Sequence, residues 1–229
     1  MRIRIDYTTA YEYSLPAGSV VQLLRVKPRG GWDQHVNRWR VDVDADGSLR
    51  TGIDVFGNAT HLFTAEALIT ALTMTVTGEV DTSDAHGMVR GFPEPLPPTV
   101  FLRQTALCAG SPGIVAFANG LGDGPVLDRL HLLLEAINTR MAFDADATGT
   151  GTDAATAFAQ ARGVCQDYTH IFIAAARLMG IPARYVSGHF VRNDGTATQP
   201  AGHAWAEALV PDLGWVGFDP TNGISVTTA

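Results

Sequence analysis

The sequence predicts an α+β protein in two parts, an N-terminal antiparallel β-sandwich and a core in which a cysteine-bearing helix packs on an antiparallel sheet. Three observations lead there. Apolar residues alternate with polar ones in runs through the first ninety positions, a proline-rich stretch interrupts them, and beyond it helical spacing gives way to three short strand patterns.

In the first part, Ile3, Ile5 and Tyr7 alternate with polar neighbours, as do Trp39, Val41 and Val43, then Leu72, Met74 and Val76. Period-two spacing puts each set on one face of a strand. Asp46-Gly47 and Gly57-Asn58 have the backbone freedom that hairpin connections require. Residues 1–90 hold no cluster of reactive side chains and read as a β-rich domain.

Gly91-Phe92-Pro93-Glu94-Pro95-Leu96-Pro97-Pro98 carries four prolines, which remove backbone donors and favour an extended, semi-rigid chain. Residues 91–99 are therefore the expected linker and residues 100–229 the expected core. Within the core, Leu127, Leu130, Leu134, Ile137 and Met141 recur at helical spacing, and Pro125 suits a first helical position. Gly149 to Asp153 reads as a flexible approach to a short alanine-rich helix. Its Gly-Thr-Gly-Thr run lacks the Lys-Ser/Thr ending and the preceding strand of a phosphate loop.

Tyr168 to Met179 is rich in Ile, Phe, Ala and Leu and ends at Gly180 with Pro182 beyond, a helix with its stop signal. Helical steps back from Met179 through Ala175, Phe172 and Tyr168 reach Cys165, which places the thiol on the buried stripe at the first turn. Unpaired N–H groups and the macrodipole at a helix N-terminus favour a thiolate and can hold an oxyanion. Downstream, Ala183 to Val191, His203 to Val210 and Gly214 to Phe218 read as strands, with His203, Trp205 and Glu207 on one face.

The turn chemistry of Pro211-Asp212-Leu213-Gly214 pairs the last two strands antiparallel and carries Asp219 towards the His203 strand. A turn centred between Asp212 and Leu213 sets Asp219 beside Glu207 or Ala206, so a register offset of a few residues is expected if it is to meet His203. The order Cys165, His203, Asp219 suits thiol-dependent acyl chemistry. An imidazole takes the thiol proton, and a carboxylate fixes the imidazole tautomer and stabilises the imidazolium. Asp167, in the first helical turn, and Trp205, beside His203, are expected to support the site. Cys108, His170 and His189 read as structural.

Composition narrows the classes. A chain of 229 residues with 46% hydrophobic content can bury a substantial core. A net charge of -7 without a dense Lys/Arg run argues against nucleic acid and anionic membrane as partners. With two cysteines no disulfide framework is expected, and the alternating N-terminus lacks the core of a signal peptide, so the expectation is cytoplasmic. Cys165, His203 and Asp219 are metal-ligand types but lack the close Cys or His pairs of zinc sites, so neither a metal nor a cofactor is expected.

Four blocks carry a family resemblance: Ala161-Arg162-Gly163-Val164-Cys165-Gln166-Asp167-Tyr168-Thr169-His170, Gly180 to Gly188, Gly202-His203-Ala204-Trp205-Ala206-Glu207, and Gly214 to Gly223 with its Asp219-Pro220-Thr221-Asn222-Gly223 end. In that order they resemble the bacterial transglutaminase-like cysteine peptidases, and the N-terminal region is similar to the β-rich domain that precedes their catalytic core. The resemblance implies a papain-like core with Cys165 as nucleophile, His203 as general base and acid, and Asp219 as orienter. It implies a peptide or protein substrate, with transfer to an amine, or a non-catalytic binding module, as the alternatives. Relatives in this family usually continue past the Asp-Pro-Thr-Asn-Gly block, so a sheet edge open at that point is a further expectation.

Overall fold

The computed structural model describes residues 1–191, 196, 198 and 202–226. The chain divides into two compact units: Met1–Ser83 with Gly91–Leu96, and Asp84–Arg90 with Pro97–Ala229.

The first unit contains β1 (Arg2–Ala17), β2 (Val20–Leu24), β3 (Gln34–Val43), β4 (Ser48–Ile53), β5 (Ala59–Ala65) and β6 (Ile69–Thr82). They form two antiparallel three-stranded sheets, ordered β1-β6-β3 and β2-β5-β4. Val20, Phe63 and Ala65 from one sheet bury themselves with Ile69 and Leu72 from the other. The alternation at Leu72, Met74 and Val76 is the inner face of β6, and all three are buried. In the β4–β5 turn, Asp54 accepts from the backbone of Phe56 and Asn58 and from Arg25 Nε at 2.6 Å. The proline-rich stretch is not a free linker. Gly91 lies so close to Trp32 that a Cβ would collide with its ring, and the Pro93 carbonyl accepts from Arg29 at 2.9 Å.

In the second unit the chain runs through β7 (Met88–Val89), α1 (Pro112–Gly120), α2 (Val126–Arg140), β8 (Ala142–Phe143), α3 (Ala154–Gln160), β9 (Arg162–Gly163) and α4 (Cys165–Leu178). It then forms β10 (Ala183–Gly188), β11 (His203–Val210), β12 (Gly214–Asp219) and β13 (Ile224–Ser225). β10, β11, β12 and β13 pair antiparallel in that order, and β7 also pairs with β12. The edge beyond β12, expected open, is therefore lined by two short strands. Pro125 caps α2 rather than opening its first turn, and β10 ends at Gly188, short of Val191.

α4 is the centre of this unit. Every residue from Asp167 to Ala176 is buried, so the helix is apolar nearly all round rather than along one stripe. α1, α2 and α3 pack around it, and the small side chains of Ala206 and Ala208 on β11 let the sheet come close from the other side. Phe172 and Phe218, both fully buried, stack with centroids 5.3 Å apart. The other face of β11 carries His203, Trp205 and Glu207.

Candidate active site

Cys165 is delivered to the first turn of α4 by a sharp change of direction. α3 ends at Ala161, a non-glycine residue in the left-handed conformation (φ 53°), and the short strand β9 pairs with β8 before the helix begins. Asp167, only 1% exposed, then locks the start of the helix: its Oδ2 accepts from the Val164 N–H at 2.8 Å and from Thr148 Oγ1 at 2.6 Å. This is the carboxylate half of a capping box, and it adds negative charge where the dipole is positive. Gly163 is required beside it, since a Cβ there would run into the Asp167 carboxylate. Cys165 itself is half-buried.

β11 and β12 pair Ala206 with Phe218 and Glu207 with Gly217, so continuing the ladder by one residue sets Asp219 opposite Trp205. The expected offset of several residues is not needed. The turn centre sits half a residue earlier than expected, and Asp219 reaches His203 along the diagonal of the ladder on the shared face. His203 Nε2 donates to Asp219 Oδ2 at 2.6 Å with both residues buried. Cys165 lies close enough to the same ring to help raise its pKa, and with Nε2 engaged the nitrogen left to meet the thiol is Nδ1.

Burial works to lower the His203 pKa, but the hydrogen bonds and charges of Asp219 and Cys165 outweigh it and raise the value to about 9. Trp205 lies near-parallel to the imidazole with centroids 6.3 Å apart, and Phe190 approaches it to 4.6 Å. These rings exclude water from one side of the imidazole. Thus Cys165, His203 and Asp219 come together, Trp205 flanks them, and Asp167 anchors the helix without touching the ring.

Three contributors escaped sequence reasoning. Asn222 Nδ2 donates to Asp219 Oδ2 at 2.7 Å, while the N–H groups of Thr221 and Asn222 donate to Oδ1 at 3.1 and 3.2 Å. Asn138 on α2 donates to the Pro220 and Thr221 carbonyls at 3.1 and 2.9 Å, which pins the loop after β12. The only signal for Asn222 was its place in the Asp-Pro-Thr-Asn-Gly block. Asn138, more than eighty residues away in sequence, had none. Below the site on the same sheet face, Arg184 and Glu207 form a largely buried ion pair at 2.7 Å, with the guanidinium 4.1 Å over the Trp215 ring.

Cys108 is buried in the core of this unit, and burial raises its pKa, as suits a packing thiol. His170 is also buried, and burial lowers its pKa against the pull of Asp167. Among the described residues no group of three or more His, Cys, Asp or Glu is arranged to hold a metal ion. No described helix is long and apolar enough to cross a membrane.

Comparison with known proteins agrees with this architecture. Residues 115–220 match the core of the transglutaminase-like superfamily, and residues 3–81 match the bacterial transglutaminase-like N-terminal region. The chain belongs to the transglutaminase-like superfamily and carries the bacterial N-terminal region. An uncharacterized protein of Mycobacterium leprae is 28% identical over 99% of this chain and 85% of its own length. Another, from Mycobacterium bovis, is 27% identical over 96% of this chain and 79% of its own. Among solved structures, a candidate cysteine protease from Cytophaga hutchinsonii shares the fold with a TM-score of 0.77, at 22% identity, over 100% of this chain and 81% of that one.

Proposed function

We propose that the chain is a cysteine peptidase or amidase acting on a peptide or protein through a thioester intermediate. The observation that carries this is the buried, hydrogen-bonded His203–Asp219 pair with Cys165 beside the same ring at the start of α4. The candidate cysteine protease that shares the fold supports the same reading.

In this mechanism His203 takes the Cys165 proton through Nδ1, and the sulfur attacks an amide carbonyl, forming the C–S bond. N–H groups at the α4 N-terminus receive the developing oxyanion. His203 then passes its proton to the leaving nitrogen as the C–N bond breaks, and the thioester remains. Water, deprotonated by His203, hydrolyses it and regenerates the thiol. Asp219 holds the ring in the tautomer that keeps Nδ1 on the sulfur and offsets the imidazolium charge; it does not take the proton. The mechanism needs Cys165 reduced.

An amine that intercepts the thioester would yield a cross-link instead of an acid, so the acceptor defines the reaction name. A peptide library incubated with the protein, with and without added primary amine and read by mass spectrometry, tests both. Cleavage or deamidation products that vanish in Cys165→Ala support the hydrolase, and amine-bearing products would replace it with an acyltransferase. Products that persist in Cys165→Ala would sink the mechanism.

A further inference from the structure

Two donors meet on one carboxylate oxygen in the candidate site. Asp219 Oδ2 accepts from His203 Nε2 at 2.6 Å and from Asn222 Nδ2 at 2.7 Å, and the two nitrogens lie 3.4 Å apart. The amide orientation follows from chemistry, because the reverse would set the Asn222 oxygen against the carboxylate. Nε2 is committed to Asp219 as a donor, so the Asn222 amide cannot also donate to it. The two N–H groups compete for the same electron density.

The structure assigns Asn222 a role as the positioning and tuning residue of this pair: its side chain shares Oδ2 with His203 and thereby restrains how strongly the ring holds its proton. The assignment rests on the triad reading above. The backbone N–H groups of Thr221 and Asn222 already hold Oδ1, so the carboxylate keeps its orientation without the Asn222 side chain. What the side chain adds is a partial positive charge at Oδ2, beside the imidazole. Among the described residues, the titratable groups facing the ring are Cys165 from α4 and Asp219 from β12, while Phe190 and Trp205 contribute neutral surfaces. Removing the amide leaves Oδ2 to His203 alone, which stabilises the imidazolium.

The consequence has a sign that loss of structure would not share. A loop merely loosened by substitution would let Asp219 drift and return His203 towards its ordinary value near 6.5. Loss of a competing donor moves it the other way. Histidine-labelled protein observed by NMR across pH gives the titration midpoint of His203, assigned by the resonance that disappears in His203→Ala. Asn222→Ala and Asn222→Leu, the second keeping side-chain bulk, should both raise the midpoint by about half a unit to one unit. Asn138→Ala, which loosens the loop but leaves the Asn222 side chain in place, should not raise it. Unchanged or lowered midpoints in both Asn222 variants, or an equal rise in Asn138→Ala, overturn the assignment.

Failure of the triad reading would look different. The parent protein would then show no raised His203 midpoint, and iodoacetamide would label Cys165 as fast in His203→Ala as in the parent.

Discussion

The two units place their ionised groups differently. The sandwich unit keeps its ion pairs at the surface: Arg2–Asp81, Arg38–Glu79 and Arg40–Asp42 all have exposed guanidinium groups. The second unit also has an exposed pair, Arg162–Asp144, but it alone adds pairs largely withdrawn from water among the described residues, Arg184–Glu207 and His203–Asp219. Surface pairs contribute roughly 0–1 kcal/mol, whereas breaking a buried pair strands a charge at a cost of about 3–5 kcal/mol. Charge is tolerated in the sandwich and structurally committed in the core. The sheet face that carries Glu207 also carries the His203–Asp219 pair, so the costly burial is concentrated around the candidate site.

The sharpest break is Asp219→Asn. The fold should persist, since Asn can still accept at its oxygen, but turnover on a peptide substrate should fall by about 10³–10⁴-fold as the imidazole loses its orienting charge. Unchanged turnover would remove Asp219 from the mechanism. Next comes Glu207→Ala, which breaks the largely buried pair with Arg184 and should destabilise the protein by about 3–5 kcal/mol in urea unfolding. Arg38→Ala, the matched change in the sandwich, should cost under about 1 kcal/mol. Similar losses for the two would erase the contrast.

Packing costs should follow burial. Phe172→Ala opens a cavity against Phe218 and should cost about 3–5 kcal/mol. Leu49→Ala, on the exposed strand β4, should stay within about 0.5 kcal/mol by the same measurement.

The effects of pH run in opposite directions in the two units. In the sandwich unit, burial raises the Asp54 pKa, but Arg25 and the N–H groups of the β4–β5 turn more than offset it and lower the value to about 2. A depressed carboxylate stabilises above its unfolded value of 3.8 and loses that contribution as pH falls towards 2. His203, raised to about 9, contributes fully below 6.5, and its contribution fades as pH rises through 9. Unfolding midpoints between pH 6 and 10 should fall in the parent and stay flatter in Asp219→Asn, while those between pH 4 and 2 should respond to Asp54→Asn. A parent curve that rises towards pH 10 contradicts the His203 assignment.

What could be seen in the sequence was whatever repeats or punctuates. β6 declared itself by alternation, α4 by Gly180 and Pro182, and Cys165 by its place ahead of an apolar run. The proximity of His203 and Asp219 was legible from a tight turn, but the register was not, because residues on one sheet face meet along the diagonal as well as directly across. Hidden features were those without a local pattern. The two-residue strands β7 and β13 are too short to alternate, and Asn138 acts across the chain on carbonyls that any residue would supply. The Arg184–Glu207 pair follows from strand register, which periodicity alone does not specify.

The return of Asp84–Arg90 to the second unit, followed by Gly91–Leu96 in the first, has a practical consequence. No single cut liberates either half with all its parts. A fragment beginning at Pro97 loses Met88 and Val89, and with them the backbone partners of Trp215 and Val216. Anyone trimming this protein to its second unit should retain the stretch from Asp84 and accept the six-residue excursion as ballast.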